Sequence, residues 1–282
     1  VRRSNAQSAY LMTDEQNLEN RPILTRTQMA AQFREIGVQP GHTVMLHTSL
    51  KALGSWIPGG VEAVLLALLD VLGADGTLMM PAQSSNNSDP SIWIAPPVPE
   101  AWWSVIRAEM PPYNPQTTQT SGIGVLAEYF RSYPGTLRSD HPNLSFSARG
   151  KHAAHILASQ PYDAPFGEDS PLGRFVRLDG MILLLGVGHD RNTTLHLAEH
   201  RAEWPSKAGV IQGAAVMLDD LRQWVALDEA VDYDSDDFDQ IGAEYERQIG
   251  YEPGKIGRAD TRYLRAAPMV EFAARWIATN RG

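Results

Sequence analysis

The sequence predicts an α/β protein with a central mixed, largely parallel sheet covered on both faces. Helical and extended patterns alternate along the chain. A strand, a glycine-containing loop, an apolar helix and a second strand follow one another between Thr43 and Met80. Farther on, the apolar run Met181–Leu185 is too short for a helix of its own and reads as a buried strand. With 43% hydrophobic and 20% charged residues the chain has enough apolar material for a packed core, which excludes a disordered chain. Its 282 residues allow one large α/β domain or two small ones.

The elements follow in order. Thr25–Ile36 has Met29, Phe33 and Ile36 at helical spacing and stops at Gly37. Thr43–Leu46 is a β-branched, apolar strand that runs into His47-Thr48-Ser49-Leu50. A loop from Gly54 to Gly60 opens the apolar helix Val61–Leu72, and Thr77–Met80 is the next strand. This β-loop-α-β unit implies a parallel strand pair with its loop at the strand's carboxyl end. The proline-rich segment Gln83–Gln116 carries Trp93, Trp102 and Trp103 and reads as a loop with a short helix, Glu100–Glu109. Its aromatics either wall a cleft or only pack the loop down. After Met181–Leu185 comes the loop Gly186–Asn192, and Thr193 caps a helix reaching about Glu203. Ala214–Leu218 and Gln223–Leu227 form a hairpin about Asp219-Asp220, and Met269–Thr279 is a closing helix.

Several function classes are excluded by composition. A formal charge of −9 argues against nucleic acid, whose binding needs cations to displace phosphate counterions. The same acidity attracts a polycationic small molecule, although many globular proteins are as acidic. Cysteine is absent, which removes disulfides, thiolate–zinc sites and acyl transfer through a cysteinyl thioester. No run approaches the roughly 20 apolar residues needed to cross a bilayer, and no apolar signal core follows Val1-Arg2-Arg3. A cytoplasmic protein without a membrane partner is expected. Residues 1–20 are set apart as a tail, of leader or flexible character.

The helix opening at Thr193 presents His196, Glu199 and His200. At spacings of three and four they share one face. An imidazole just past a buried strand sits where open α/β sheets bind ligands, and a neutral one accepts a proton near pH 7. Glu199 would orient that ring. The plain alternative is a surface helix with solvated charges. The letters His196-x-x-Glu199-His200 also match an inverted zinc-hydrolase signature, which needs a further ligand from elsewhere. Gly186-Val187-Gly188 begins a dinucleotide fingerprint that fails at Arg191, and Asp232–Asp239 lacks the glycine and glutamate of a calcium loop. Asp232–Asp239 therefore reads as a solvated acidic loop, or one that faces a cationic substrate. His47 ends its own strand, His141-Pro142 lies in a loop, and Ser170-Pro171-Leu172 looks like a serine cap with proline at the first helical position.

Together these segments resemble the aminoglycoside 3-N-acetyltransferase family. The resemblance rests on His47-Thr48-Ser49-Leu50 with Gly54, Gly76-Thr77-Leu78-Met79, Arg138-Ser139-Asp140-His141-Pro142, Gly167-Glu168-Asp169-Ser170-Pro171-Leu172 and the run from Leu183 to Glu199. It spans about residues 25 to 275 and implies a three-layer α/β/α acetyltransferase domain over residues 21–282. It implies acetyl-CoA as co-substrate, no metal, and the 3-amino group of a 2-deoxystreptamine aminoglycoside as acceptor, with direct transfer and no acyl-enzyme. It makes His196 the general base, with His47 and Glu199 supporting; His189 is a poorer candidate. It implies acetyl-CoA contacts from Thr48, Ser49, Leu50, Lys51, His141 and Ser170, and acceptor contacts from Asp89, Asp190, Asn192 and Thr193. Backbone amides near Thr48-Ser49 or a helix start would hold the oxyanion. A homodimer is left open, as is another amine metabolite as acceptor, because Ser84–Trp103 looks like a subgroup whose members are not all shown to act on aminoglycosides.

Overall fold

The computed structural model describes residues 21–94 and 96–282, so the tail expected over residues 1–20 lies outside the described residues. Seven strands form one mixed sheet: β1 (Thr43–Thr48), β2 (Thr77–Pro81), β3 (Leu137–Arg138), β4 (Phe146–Gly150), β5 (Met181–Leu185), β8 (Gly254–Ile256) and β9 (Ala259–Arg265). Their order is β3-β4-β2-β1-β5-β9-β8. β1 runs parallel to both β2 and β5, while β4, β3, β9 and β8 pair antiparallel. The sheet is mixed as expected, and its parallel part is the central three strands. A separate hairpin joins β6 (Val210–Leu218) and β7 (Leu221–Glu229).

Alternation along the central strands builds two cores. Val44, Leu46, Leu78, Met80, Leu183 and Leu185 face one side, against α1 (Arg26–Glu35), α2 (Gly60–Leu72) and α4 (Val125–Arg131). Met45, Met79, Ile182 and Leu184 face the other. There they meet α5 (Ala153–Ile156), α6 (Pro171–Arg177), α7 (His196–Arg201), α8 (Phe238–Ile249) and α9 (Ala266–Asn280). Both faces of the central strands are buried, which is why they read as continuous apolar runs. Full burial of each such side chain contributes about 1.5–3 kcal/mol. The result is the three-layer α/β/α arrangement.

Local chemistry sets the element ends. Thr25 opens α1 with a capping box: its Oγ1 accepts from the Gln28 amide while Gln28 Oε1 accepts from the Thr25 amide. Ser170 Oγ accepts from the Leu172 amide and caps α6, with Pro171 in the first turn. At the end of β5 the chain turns at Gly186, whose φ is +67° and where an added Cβ would lie 2.4 Å from Ala52 Cβ. Asp219 and Asp220, at φ +49° and +61°, make the two-residue turn of the hairpin.

The described residues of the segment 83–116 are held by contacts of their own. A 3-10 turn, Glu100–Trp102, leads into α3 (Trp103–Glu109), where the short helix was expected. Asp89 accepts two 2.8 Å hydrogen bonds from Arg107, and Trp93 Nε1 donates to Ser88 Oγ. The segment is fastened to the hairpin, since the Tyr113 amide donates to Ala215 O and Arg222 Nε to Met110 O.

Candidate active site

Because β1 and β5 are parallel neighbours, their carboxyl ends open at the same edge of the sheet. A cleft of about 760 Å³ lies there. From β1 and the turn after it come His47, Thr48, Ser49, Leu50 and Lys51; from the segment after β5 come Asp190, Arg191, Asn192, Thr193 and His196. Gln83, Ser85, the 121–127 stretch, Ser235 and Phe238 complete the walls.

His196 is the first residue of α7, and Glu199 lies one turn on, on the same face. His196 Nδ1–H donates to Glu199 Oε2 at 2.5 Å, which leaves Nε2 with its lone pair for the cleft. Glu199 is fully buried. Its Oε1 accepts from Arg281 Nη1 (2.6 Å) and from the Asp234 amide (3.0 Å). The imidazole is stacked on Phe166, with centroids 4.9 Å apart and planes 10° apart, and is flanked by Tyr233 and Phe238. Three aromatic walls and a charged hydrogen bond therefore hold one ring in one orientation. Such a dyad can take a proton from a nucleophile in the cleft and return it to a leaving group.

His47 reaches the cleft wall beside this ring. Burial lowers its pKa to about 3, with the neighbouring His196 adding to the effect, so it is neutral at physiological pH. Its Nε2 is enclosed without a protein partner. Thr48 to Lys51 all line the cleft, but the Ser49 amide donates to Leu185 O at 2.9 Å. That amide is consumed by the sheet, which removes it from the expected oxyanion donors. The helix cap also differs from expectation. Asn192 Oδ1, not Thr193, accepts from the Thr194 amide, and a 3-10 turn over Thr193–Leu195 precedes α7, which ends at Arg201. Asn192 is thus a buried capping residue that, like Thr193, also lines the cleft. Asp190 lines it too, paired with Arg191 at 2.9 Å.

Four expected site residues are not among those lining the cleft: Glu199, buried behind His196, and Asp89, His141 and Ser170. Asp89 spends its carboxylate on Arg107, which holds its pKa down at about 2. His141 is fully buried in its loop, and its Nδ1 accepts from the Asn143 and Leu144 amides. Ser170 is the buried cap of α6. The wall reading of the tryptophan segment narrows to Gln83 and Ser85, since Trp93, Trp102 and Trp103 do not line the cleft. His189 is engaged by Glu246 at 2.8 Å, packed against Gly242 of α8. For the zinc reading, Glu199 is already bound by His196, Arg281 and the Asp234 amide. Among the described residues no three His, Asp or Glu side chains are grouped to hold a metal ion.

Sequence reasoning missed Phe166, Tyr233, Phe238 and Arg281, which hold the dyad. Asp232–Asp239, read as a solvated acidic loop, in fact supplies four groups around the dyad: Tyr233, Phe238, the Asp234 amide and Asp237, which binds Arg281. Only the aromatic content of Tyr233 and Phe238 within that acidic run signalled a packed loop.

Known proteins resemble this chain over most of its length. The family model of aminoglycoside 3-N-acetyltransferase matches residues 45–278. The SPbeta prophage-derived aminoglycoside N(3')-acetyltransferase-like protein YokD of Bacillus subtilis (strain 168) is 39% identical over 257 residues, 91% of this chain and 93% of that protein. Aminoglycoside N(3)-acetyltransferase IX of Micromonospora chalcea is 34% identical over 90% of this chain and 93% of that protein. The crystal structure of YokD superposes with a TM-score of 0.86, covering 91% of this chain and 100% of that one. The AAC-IIIb binary complex with CoASH gives 0.81 at 31% identity, covering 92% and 98%. AAC-VIa bound to sisomicin gives 0.81 at 29% identity, with the same coverage. Fold and cleft define a three-layer α/β protein with a histidine–glutamate dyad at the carboxyl end of its parallel strands. This chain belongs to the aminoglycoside 3-N-acetyltransferase family.

Proposed function

We propose that this protein transfers the acetyl group of acetyl-CoA to the 3-amino group of a 2-deoxystreptamine aminoglycoside, with His196 as general base. The observation that carries the reading is the His196–Glu199 hydrogen bond, which leaves Nε2 facing the cleft at the carboxyl ends of β1 and β5. The acceptor amine attacks the thioester carbonyl carbon, and His196 Nε2 takes the proton that leaves nitrogen. As the carbon–sulfur bond breaks, the imidazolium returns a proton to the departing thiolate. Ionised Glu199 favours the imidazolium formed between these steps. Lys51 and Arg191 are the cations of the cleft lining, and we assign them to the CoA phosphates. Family membership and the CoASH complex of AAC-IIIb support the donor. The sisomicin complex of AAC-VIa supports the acceptor class. N-acetylation removes a positive charge from the drug, which weakens its attraction to RNA phosphates and would inactivate it.

A second acceptor reading follows from one observation. Among the described residues that line the cleft, Asp190 is the only carboxylate, and it is already paired with Arg191. An amine less charged than an aminoglycoside would suit such a lining. Release of CoA thiol from acetyl-CoA, measured over aminoglycosides and simple amines, separates the two. Turnover of aminoglycosides bearing a free 3-amino group supports the first, and turnover confined to other amines replaces it with the second.

A further inference from the structure

Glu199 is cut off from water, and a buried carboxylate stays ionised only where other groups compensate the lost hydration. Its Oε2 is taken by His196, and the cation on its Oε1 is Arg281, 82 residues away in sequence. Arg281 is itself clamped. Its Nε and Nη2 donate to Asp237 at 2.7 and 2.6 Å, Nη2 also donates to Asp234 O, and the guanidinium lies 5.4 Å from the Trp204 ring centroid. A planar fork held at every edge can transmit both charge and orientation. Arg281 lies past residue 278, where the match to the family model stops.

We propose that Arg281 is a positioning residue that sets the proton affinity of the His196–Glu199 pair, with Asp237 as its counterweight. This rests on His196 as the base. With a neutral imidazole the four side chains carry one net negative charge, from Glu199, Asp237 and Arg281; with an imidazolium they carry none. Removing the cation therefore leaves the pair more electron-rich and raises its affinity for a proton, and neutralising Asp237 lowers it. Of the other titratable groups near the ring, His47 and Tyr233 each keep one charge state around neutral pH. His47 is neutral above about pH 3, and burial holds the Tyr233 hydroxyl protonated. Asp190, at the cleft, is paired with Arg191. Glu229, the neighbour of Tyr233, is pushed up to about 8, so it is mostly protonated at pH 7 and gains charge only as pH rises through 8, above the acid limb.

The test is an NMR titration of the His196 ring in the free protein, identified by its loss in His196→Gln, alongside the pH profile of kcat/KM. Arg281→Ala should move the midpoint of the ring's titration up by about one unit. On the acid limb that is a fall of about tenfold in kcat/KM. Arg281→Lys should restore most of the shift, and Asp237→Asn should move the midpoint down. No resolvable shift in Asp237→Asn, or shifts of the same sign in Asp237→Asn and Arg281→Ala, would overturn the proposal. If Arg281→Ala does not fold, Asp237→Asn and Arg281→Lys decide it. The titration needs no acceptor, so its outcome is independent of which amine is acetylated; failure of the base assignment would appear instead as an active His196→Ala.

Discussion

His196 differs from His47, His141 and His189 in having one nitrogen anchored and the other at a cleft. His47 and His141 are enclosed, and His189 is bound to Glu246. His196→Ala should therefore lower turnover at least about a hundredfold while acetyl-CoA binding, measured by calorimetry, is retained. Near-normal turnover would remove it from the base role. In Glu199→Gln the amide keeps the shape but loses the charge that favours the imidazolium. Turnover should fall about 10²–10⁴-fold with the melting temperature changed far less than the rate. The spacing of this pair was legible because residues three apart on a helix face one way whatever surrounds them. Its supports were not, because Phe166, Tyr233, Asp237 and Arg281 arrive from separate loops and the end of the chain.

Elements are where local chemistry spoke most clearly. Asp219-Asp220 signalled the hairpin, and both residues do adopt the left-handed region that its tight turn requires. Aspartate tolerates that region less well than asparagine or glycine. Asp219→Asn with Asp220→Gly should stabilise the hairpin by roughly 0.5–1 kcal/mol, read as slower amide exchange across β6 and β7. Gly186 is the opposite case. Its positive φ and the contact with Ala52 mean that Gly186→Ala strains the turn that leads to His196, and both melting temperature and turnover should drop. The cap of α7 shows a limit of local reading. Asn192 and Thr193 are both good cap residues, and the intervening 3-10 turn, set by burial of Thr194 and Leu195, decided between them.

Over the whole molecule, buried titratable groups make stability depend on pH. Burial lowers both His47 and His141 to about 3, so the unfolded chain binds their protons more readily than the folded one. Stability should decline as pH falls below about 6.5, with each histidine contributing roughly 3–5 kcal/mol of loss by about pH 3. His141→Asn should flatten that decline, as measured by urea midpoints between pH 4 and 7. Glu229 works in the other direction. Burial, with Asp232 adding, raises its carboxyl to about 8, so its contribution is full below about pH 4.5 and is lost as pH rises through 8. Glu229→Gln should gain stability at pH 8 relative to pH 5. Neither effect was legible beforehand, because a histidine or glutamate in the sequence does not disclose its own burial.

From its residues alone the chain determined the alternation of helices and strands, the tight turns and the single-turn pairing of His196 with Glu199. Those depend on interactions within a few positions of one another. Tertiary structure decided which candidates share the cleft and which carboxylates are already committed. It placed His47 beside His196, held His141 and Ser170 in packing roles, and gave Asp89 to Arg107. It also brought Arg281 onto Glu199. These outcomes follow from closing seven strands in a particular order, β1 between β2 and β5, a long-range choice that no local window encodes.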